Sequence, residues 1–443
     1  MKKVSLVSLG CSKNLVDAEQ MLGALEDGGF EIVENEEDAD IMIVNTCAFI
    51  DAAKQESIDC ILEHAGHKNE KNGKILVAAG CMSQRYKEEI IKEIPEVDIV
   101  VGTNEYDKIA DILKAHIEGV SDVHCSEEYM NGCAPRRVVT TPKYTAYLKI
   151  AEGCDNRCTY CVIPSIRGKY RSRSEAELID EARRLAESGV RELVVIAQDT
   201  TRYGMDLYGE YRLPGLLREL CGIEGIKWIR LHYCYPELVT DELIETVACE
   251  DKICNYFDIP IQHCNDRILK LMGRKTNKKQ ITGLIAKLRK RIPDAVIRTS
   301  LIVGFPTETE EEFSELRDFV TGTEFDRLGA FAYSQEEGTP AARLDGQIDD
   351  EEKRNRQEII MIDQAAVSED LNAARVGKTY EVLCEGYDSI IKQYYGRSYA
   401  DSAEIDGKVF FTSQKKCAEG EFVKVQITDY MEFDLYGEAV LEG

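Results

Sequence analysis

The chain has 443 residues, 44% of them hydrophobic and 31% charged, with a formal net charge of −26. This length and composition exclude a disordered chain and allow two or three domains with their own cores. No run approaches the roughly 18 uninterrupted apolar residues of a membrane span, and a surface this acidic repels phosphate backbones while suiting a basic protein partner, although acidity also serves solubility alone.

From Val4 to Val101, apolar runs at Val4 to Leu9, Ile41 to Val44, Ile75 to Ala79 and Ile99 to Val101 alternate with helical patterns near Val16 to Glu26, Ala52 to His64 and Gln84 to Glu93. That rhythm predicts a parallel α/β domain over residues 1–125, followed by a Gly-, Ser- and Pro-bearing linker between Glu118 and Pro142. Six further apolar runs follow, at Ala146 to Ala151, Leu193 to Ala197, Trp228 to Leu231, Tyr256 to Ile259, Val296 to Val303 and Leu328 to Ala332, each leading into a helical pattern. Six βα units fall two short of a closed eight-fold barrel, so residues 140–374 are expected to form a partial (β/α)6 barrel, open on one side to a large substrate. After Gly377 short alternating segments broken by glycines predict a small antiparallel β-barrel over 376–443, which carries 13 acidic against 7 basic residues, a net charge of −6.

The opening Met1-Lys2-Lys3 leads into a strand-like run, no signal peptide is visible, and a cytoplasmic location is expected. In such a reducing compartment the 16 cysteines stay free, so their spacing is read for metals. Cys154, Cys158 and Cys161 directly follow the first strand of the partial barrel. Three thiolates at these spacings suit three irons of a cubane cluster and leave the fourth iron open to the amino and carboxylate groups of S-adenosylmethionine; a structural zinc site is the competing reading, and it wants a fourth ligand. Cys11, Cys47 and Cys81 each end a strand of the first domain. In a parallel sheet those ends share one edge, where ligands bind, so the three thiolates are expected to meet there and hold a second cluster with an open iron for sulfur; the alternative is three small buried side chains. Cys60, Cys125, Cys133, Cys221, Cys234, Cys249, Cys254, Cys264, Cys384 and Cys417 show no ligand spacing and read as packing residues.

With Tyr160 before the last cysteine, the Cys154–Cys161 segment matches the signature of the radical S-adenosylmethionine superfamily. Two such triplets in this order, with a small β-barrel behind them, resemble the methylthiotransferases over essentially the whole chain. The resemblance implies an auxiliary 4Fe-4S cluster on Cys11, Cys47 and Cys81, a radical 4Fe-4S cluster on Cys154, Cys158 and Cys161, and a terminal TRAM domain for substrate recognition. It also implies a low-potential electron donor such as flavodoxin and a sulfur donor. Tyr160, Gln198, Ser300, Ile302 and Gly304 are expected to contact S-adenosylmethionine, the last three because Ser300 to Thr309 resembles the superfamily's adenosine-contacting strand. His232 and His263, at strand ends, read as acid–base or hydrogen-bonding residues.

One branch of that family modifies an adenosine of transfer RNA and another an aspartate of small-subunit ribosomal protein S-twelve. The run Ser8 to Glu19 and the run Gly396 to Gly407 both resemble the second branch, and a terminal barrel at −6 suits a basic ribosomal protein and disfavours direct transfer-RNA binding. Taken alone, Asp401, Glu404 and Asp406 read better as a solvated acidic turn; joined to Arg397 and the opening run, Arg397, Asp401, Glu404 and Asp406 are expected to contact the substrate. The expected reaction adds a methylthio group to the aspartate β-carbon by radical C–H activation, with two S-adenosylmethionine molecules per turnover. The rivals are a transfer-RNA adenosine methylthiotransferase and a non-enzymatic ribosome-assembly factor with structural clusters.

Overall fold

Residues 1–70, 74–119, 123–126 and 136–440 are described in the computed structural model. The first sheet contains β1 (Lys3–Ser8), β2 (Glu31–Ile32), β3 (Ile41–Thr46), β4 (Ile75–Gly80), β5 (Ile99–Val101) and β6 (Val123–His124), all parallel, in the order β2-β1-β3-β4-β5-β6. Every residue of β3 is buried, because helices cover both faces; such a strand reads as a continuous apolar run. The chain leaves β1 for β2 on one side and returns past β1 to β3 on the other, which opens a crevice at the carboxyl ends of β1 and β3.

A second parallel sheet is formed by β7 (Thr145–Lys149) and β10 (Glu192–Ile196) to β14: β11 (Trp228–Leu231), β12 (Ile253–Asp258), β13 (Val296–Val303) and β14 (Arg327–Ala332). A two-stranded ribbon, β8 (Ala151–Glu152) with β9 (Arg171–Ser172), interrupts the sequence after β7. The strands lie in chain order from β7 to β14, and β7 and β14 each have a single neighbour, so the expected six-unit barrel is open between them. Strand alternation divides its side chains. Ala146, Leu148, Leu193, Val195, Ile229, Leu231, Ile297 and Leu301 pack outward beneath the helices. Thr145, Tyr147, Lys149, Glu192, Arg230, Tyr256, Asp258 and Arg298, of opposite parity, make a polar interior. Helix starts are fixed by capping boxes at Ser174/Glu177, Asn277/Gln280 and Thr309/Glu312.

The terminal domain is a closed five-strand barrel of β15 (Thr379–Asp388), β16 (Gln393–Ser398), β17 (Val409–Thr412), β18 (Phe422–Tyr430) and β19 (Leu435–Ala439). It departs from the antiparallel expectation at one pair, since β17 and β19 run parallel.

This barrel plugs the floor of the central domain, at the amino ends of its strands. Glu192, at the start of β10, accepts from Arg230 Nε at 2.9 Å, Arg397 Nη2 at 2.6 Å and Thr145 Oγ1 at 3.0 Å. Arg327 donates to Asp401 at 2.5 Å, Tyr256 Oη donates to Asp406 at 2.6 Å, and Ser402 Oγ lies 2.8 Å from His232 Nε2. The substrate-contact expectation is thereby corrected at Arg397, Asp401 and Asp406, whose charges are spent inside the molecule on partners from a different domain; Arg397 and Asp401 are each only 2% exposed. Glu404, at φ +67°, remains exposed.

The floor makes stability pH-dependent. Burial pushes the Glu192 carboxyl up, but the Arg397 and Arg230 cations more than reverse this and hold it at about 2, against an ordinary 4.5. A depressed carboxylate stabilises the fold above its unfolded pKa, so a contribution on the order of 3 kcal/mol is expected to be complete above pH 4.5 and lost as the pH falls toward 2. Acid titration of wild type against Glu192→Gln checks this: the wild type should lose stability more steeply across that window.

Candidate active site

Cys11, Cys47 and Cys81, singled out by position, lie at carboxyl ends of strands, and Cys154, Cys158 and Cys161, singled out by spacing, lie in the loop after β8. Cys11 precedes the helix Ser12–Asp27 after β1, Cys47 follows β3, and Cys81 begins the helix Cys81–Tyr86 after β4. Two asparagines lock the first two loops together: Asn14 Nδ2 donates to Leu9 O at 2.7 Å and Thr46 O at 3.2 Å, and Asn45 Nδ2 donates to Asn14 O at 2.8 Å. Gly10, at φ +88°, lets the Cys11 loop pass over Cys47, where a Cβ would lie 2.9 Å from Cys47 Sγ. Gly10→Ala is therefore expected to reduce iron in purified, reconstituted protein from two clusters' worth toward one, measured by iron and sulfide analysis.

Electrostatics treats these thiols as one group. Burial pushes Cys81 up to about 12, with the Arg167 cation opposing the rise and ionised Cys11 and Cys47 adding to it. At Cys11 burial also raises the pKa, yet Lys13, Arg167 and the backbone N–H groups of the helix start outweigh it and set the thiol below its ordinary value.

The second triplet follows β8. Cys154 N donates to Gly168 O at 3.0 Å and Cys161 N to Cys158 O at 3.2 Å, while Thr159 N donates to Met272 O at 3.0 Å. Burial raises Cys154 to about 11 and moves Cys161 well up, with ionised Cys158 and Cys154 adding at the latter. Arg274 Nη1 lies 3.9 Å from Cys158 Sγ, and its guanidinium stacks 4.4 Å from the Tyr235 ring centroid.

The first domain lies against the interior of the second. Val16 packs with Tyr147, Val194 and Ile196, and Lys13 Nζ sits 3.3 Å from the Tyr233 ring centroid. Asp17 pairs with Lys149 and, at 2.7 Å, with Arg167. On the other side of the opening, Glu336 receives Lys54 at 3.0 Å and Arg85 at 2.8 Å. Arg167, six residues past Cys161, donates to Cys81 Sγ at 3.1 Å, so the segment that follows the second triplet reaches the first.

Of the residues expected to contact S-adenosylmethionine, Gln198 donates to Glu152 Oε1 at 2.7 Å and leaves its own buried Oε1 without a partner, a free acceptor at the strand ends. Ser300 and Ile302 are half-buried on the inner parity of β13, and Tyr160 packs with Phe305 and Tyr333. Gly304 is different: at φ +69° its missing Cβ accommodates Lys353 Cγ at 2.5 Å, a packing demand from the helix Asp350–Ala373. Both histidines are buried, and His263 Nε2 lies 3.6 Å from Glu308 Oε2. Burial holds His232 down at about 3, and its Nε2 is engaged with Ser402, while His263 Nδ1 accepts from Asn265 N at 2.9 Å. Cys234, Cys254, Cys264 and Cys384 are buried as expected of packing residues, Cys249 is exposed and does not fit that reading, and Cys133 lies outside the described residues. Sequence reasoning missed Arg167 and Arg274, which carry no spacing signal.

The donor set fits iron–sulfur clusters: each triplet has three cysteines free of disulfides, an N–H donor aimed at sulfur, and no fourth protein ligand assigned by spacing.

Comparison with known proteins agrees. The model of Uncharacterized protein family UPF0004 matches residues 3–102, that of the Radical SAM superfamily residues 148–320, and that of the TRAM domain residues 376–440. The ribosomal protein uS12 methylthiotransferase RimO of Clostridioides difficile is 53% identical over 446 residues, covering 100% of both chains. The protein of that name from Clostridium botulinum is 52% identical over 98% of this chain and 97% of its own. Among solved structures, the radical S-adenosylmethionine methyltransferase TsrM from Kitasatospora setae, with cobalamin and a 4Fe-4S cluster bound, shares the fold at TM-score 0.59 and 15% identity, covering 77% of this chain and 74% of its own. The chain belongs to the RimO family of radical S-adenosylmethionine methylthiotransferases.

Proposed function

We propose that this protein transfers a methylthio group to the β-carbon of an aspartate in ribosomal protein uS12, using two 4Fe-4S clusters and S-adenosylmethionine. The observation that carries this reading is full-length identity near one half to proteins of that activity, and the hydrogen bond from Arg167, just past Cys161, to Cys81 supports it. Cys154, Cys158 and Cys161 would hold the radical cluster, and Cys11, Cys47 and Cys81 the auxiliary one. When bound, these groups supply reductive cleavage of S-adenosylmethionine and a sulfur site for C–S bond formation.

The protein's own residues bind and orient. Such a C–H bond is too weakly acidic for a side-chain base at neutral pH, and Glu152 already accepts from Lys149, Arg167, Gln198 and Gly153 N; burial pushes its carboxyl up, but the Arg167 and Lys149 cations hold it well below the usual carboxylate range. Gln198 Oε1, without a hydrogen-bond partner among the described residues, would accept from the amino group of S-adenosylmethionine, and Tyr160, Ser300 and Ile302 would line its adenosine. The docked helix Ser12–Asp27 covers Tyr147, Val194 and Ile196 and keeps water from that side of the interior. Glu404, the exposed member of the acidic loop, is the residue of that loop able to meet a basic substrate.

The reaction further implies a low-potential reductant such as flavodoxin, a sulfur donor and a cytoplasmic setting beside the ribosome. Among the described residues no helix is long and apolar enough to cross a membrane. Mass spectrometry of ribosomal proteins from cells with and without the gene tests the proposal. One aspartate of uS12 should lose a methylthio mass in the deletion strain; an unchanged uS12 with loss of a modified transfer-RNA adenosine overturns it.

A further inference from the structure

Arg167 is almost wholly buried, at 2% exposure, and uses both arms. Nη1 donates to Asp17 Oδ2 at 2.7 Å and Glu152 Oε2 at 2.9 Å; Nη2 donates to Cys81 Sγ at 3.1 Å and Asn14 Oδ1 at 3.2 Å. Two carboxylates on one arm fix the guanidinium plane, so the other arm is aimed at the sulfur rather than free to swing. A structural arginine needs only the carboxylates. The second arm spends a buried, charged N–H on a thiol of the auxiliary triplet, where a fixed positive charge acts through low-dielectric surroundings.

Electron counting gives that charge a task. A carbon radical brings one electron and a sulfur lone pair two; the new C–S bond holds two, and the third must pass to the iron–sulfur group that releases the sulfur. The core and its three cysteinates become one unit more negative in that step, because the sulfur, bound until then as an anionic ligand, leaves as a neutral thioether. A cation hydrogen-bonded to a ligand sulfur stabilises the more negative state preferentially, and hydrogen bonds to sulfur are among the determinants of such potentials.

We propose that Arg167 is a positioning residue that raises the reduction potential of the auxiliary cluster through its N–H to Cys81, making that cluster a ready acceptor of the electron left over when the C–S bond forms. The inference rests on the reading that Cys11, Cys47 and Cys81 hold a cluster.

The test uses full-length protein with Cys154, Cys158 and Cys161 replaced by Ala, so that after anaerobic reconstitution only the auxiliary cluster remains, and follows its reduction by EPR-monitored titration with the signal normalised to bound iron. In that background Arg167→Gln should lower the reduced-to-oxidised ratio at fixed potential at least about ten-fold, a shift of about 59 mV for a one-electron couple. Arg167→Lys, which keeps a cation for Asp17 and Glu152 but loses the forked reach to Cys81, should shift in the same direction by less. If both variants titrate at the parent potential, the proposal is overturned, as it is if folded Arg167→Gln assembles no cluster at all. If the parent itself binds no cluster, the failure lies instead with the assignment of Cys11, Cys47 and Cys81.

Discussion

Alanine at any of Cys11, Cys47 or Cys81 is expected to lower methylthio transfer by on the order of 10³-fold or more, while 5′-deoxyadenosine formation in the same preparation persists. The separation follows from the topology. These three thiols sit on the crevice of the first sheet, on loops latched by Asn14 and Asn45, and none of them supports the segment from Cys154 to Cys161, whose backbone is held by Gly168 and Met272. The reciprocal set, alanine at Cys154, Cys158 or Cys161, should abolish both products. Chromatography for 5′-deoxyadenosine and mass spectrometry for modified uS12, run on the same reconstituted samples, distinguish the two patterns. Loss of both products from the Cys11 set would mean that the first domain serves the cleavage step itself.

The second large effect is expected at the barrel floor. Glu192→Ala removes the shared partner of Arg230 and Arg397 and leaves Arg230 buried without a carboxylate while Arg397 keeps only Glu385, a cost of about 3–5 kcal/mol for breaking a buried pair. Because Arg397 belongs to the terminal barrel and Arg230 to the central domain, the loss falls on the seam between them. Denaturant unfolding should show an earlier transition, and limited proteolysis should cut in the segment after Ala374. A variant with wild-type resistance would mean that water hydrates this floor.

The same seam shows where reading a sequence stops. The long strands of the first sheet were legible because parallel strands covered on both sides are runs of β-branched and aliphatic residues, as at Ile41 to Val44 and Ile75 to Ala79. The approach of Cys11, Cys47 and Cys81 to one another was legible because strand ends converge on one edge. The short strands Glu31–Ile32 and Val123–His124 carry too few residues for a period to register. The strand Gln393–Ser398 was hidden by its own composition: Gly396, Arg397 and the acids that follow have the look of a solvated turn. Charged residues are seldom fully buried without a partner, and the partner of Arg397 is Glu192, 205 positions away. Arg167 and Arg274 escaped for the same reason, since an arginine becomes informative only when the sulfur it faces is known.

Magnetic coupling between the two clusters tests the central claim most directly. In fully reduced, reconstituted wild type, two paramagnetic clusters in one interdomain site should broaden and split each other's EPR signals. The spectrum should therefore differ from the sum of spectra of the two triple-alanine variants, one lacking Cys11, Cys47 and Cys81 and the other lacking Cys154, Cys158 and Cys161. A wild-type spectrum equal to that sum, or one showing only a single cluster, would contradict the shared site on which the proposed C–S bond formation depends.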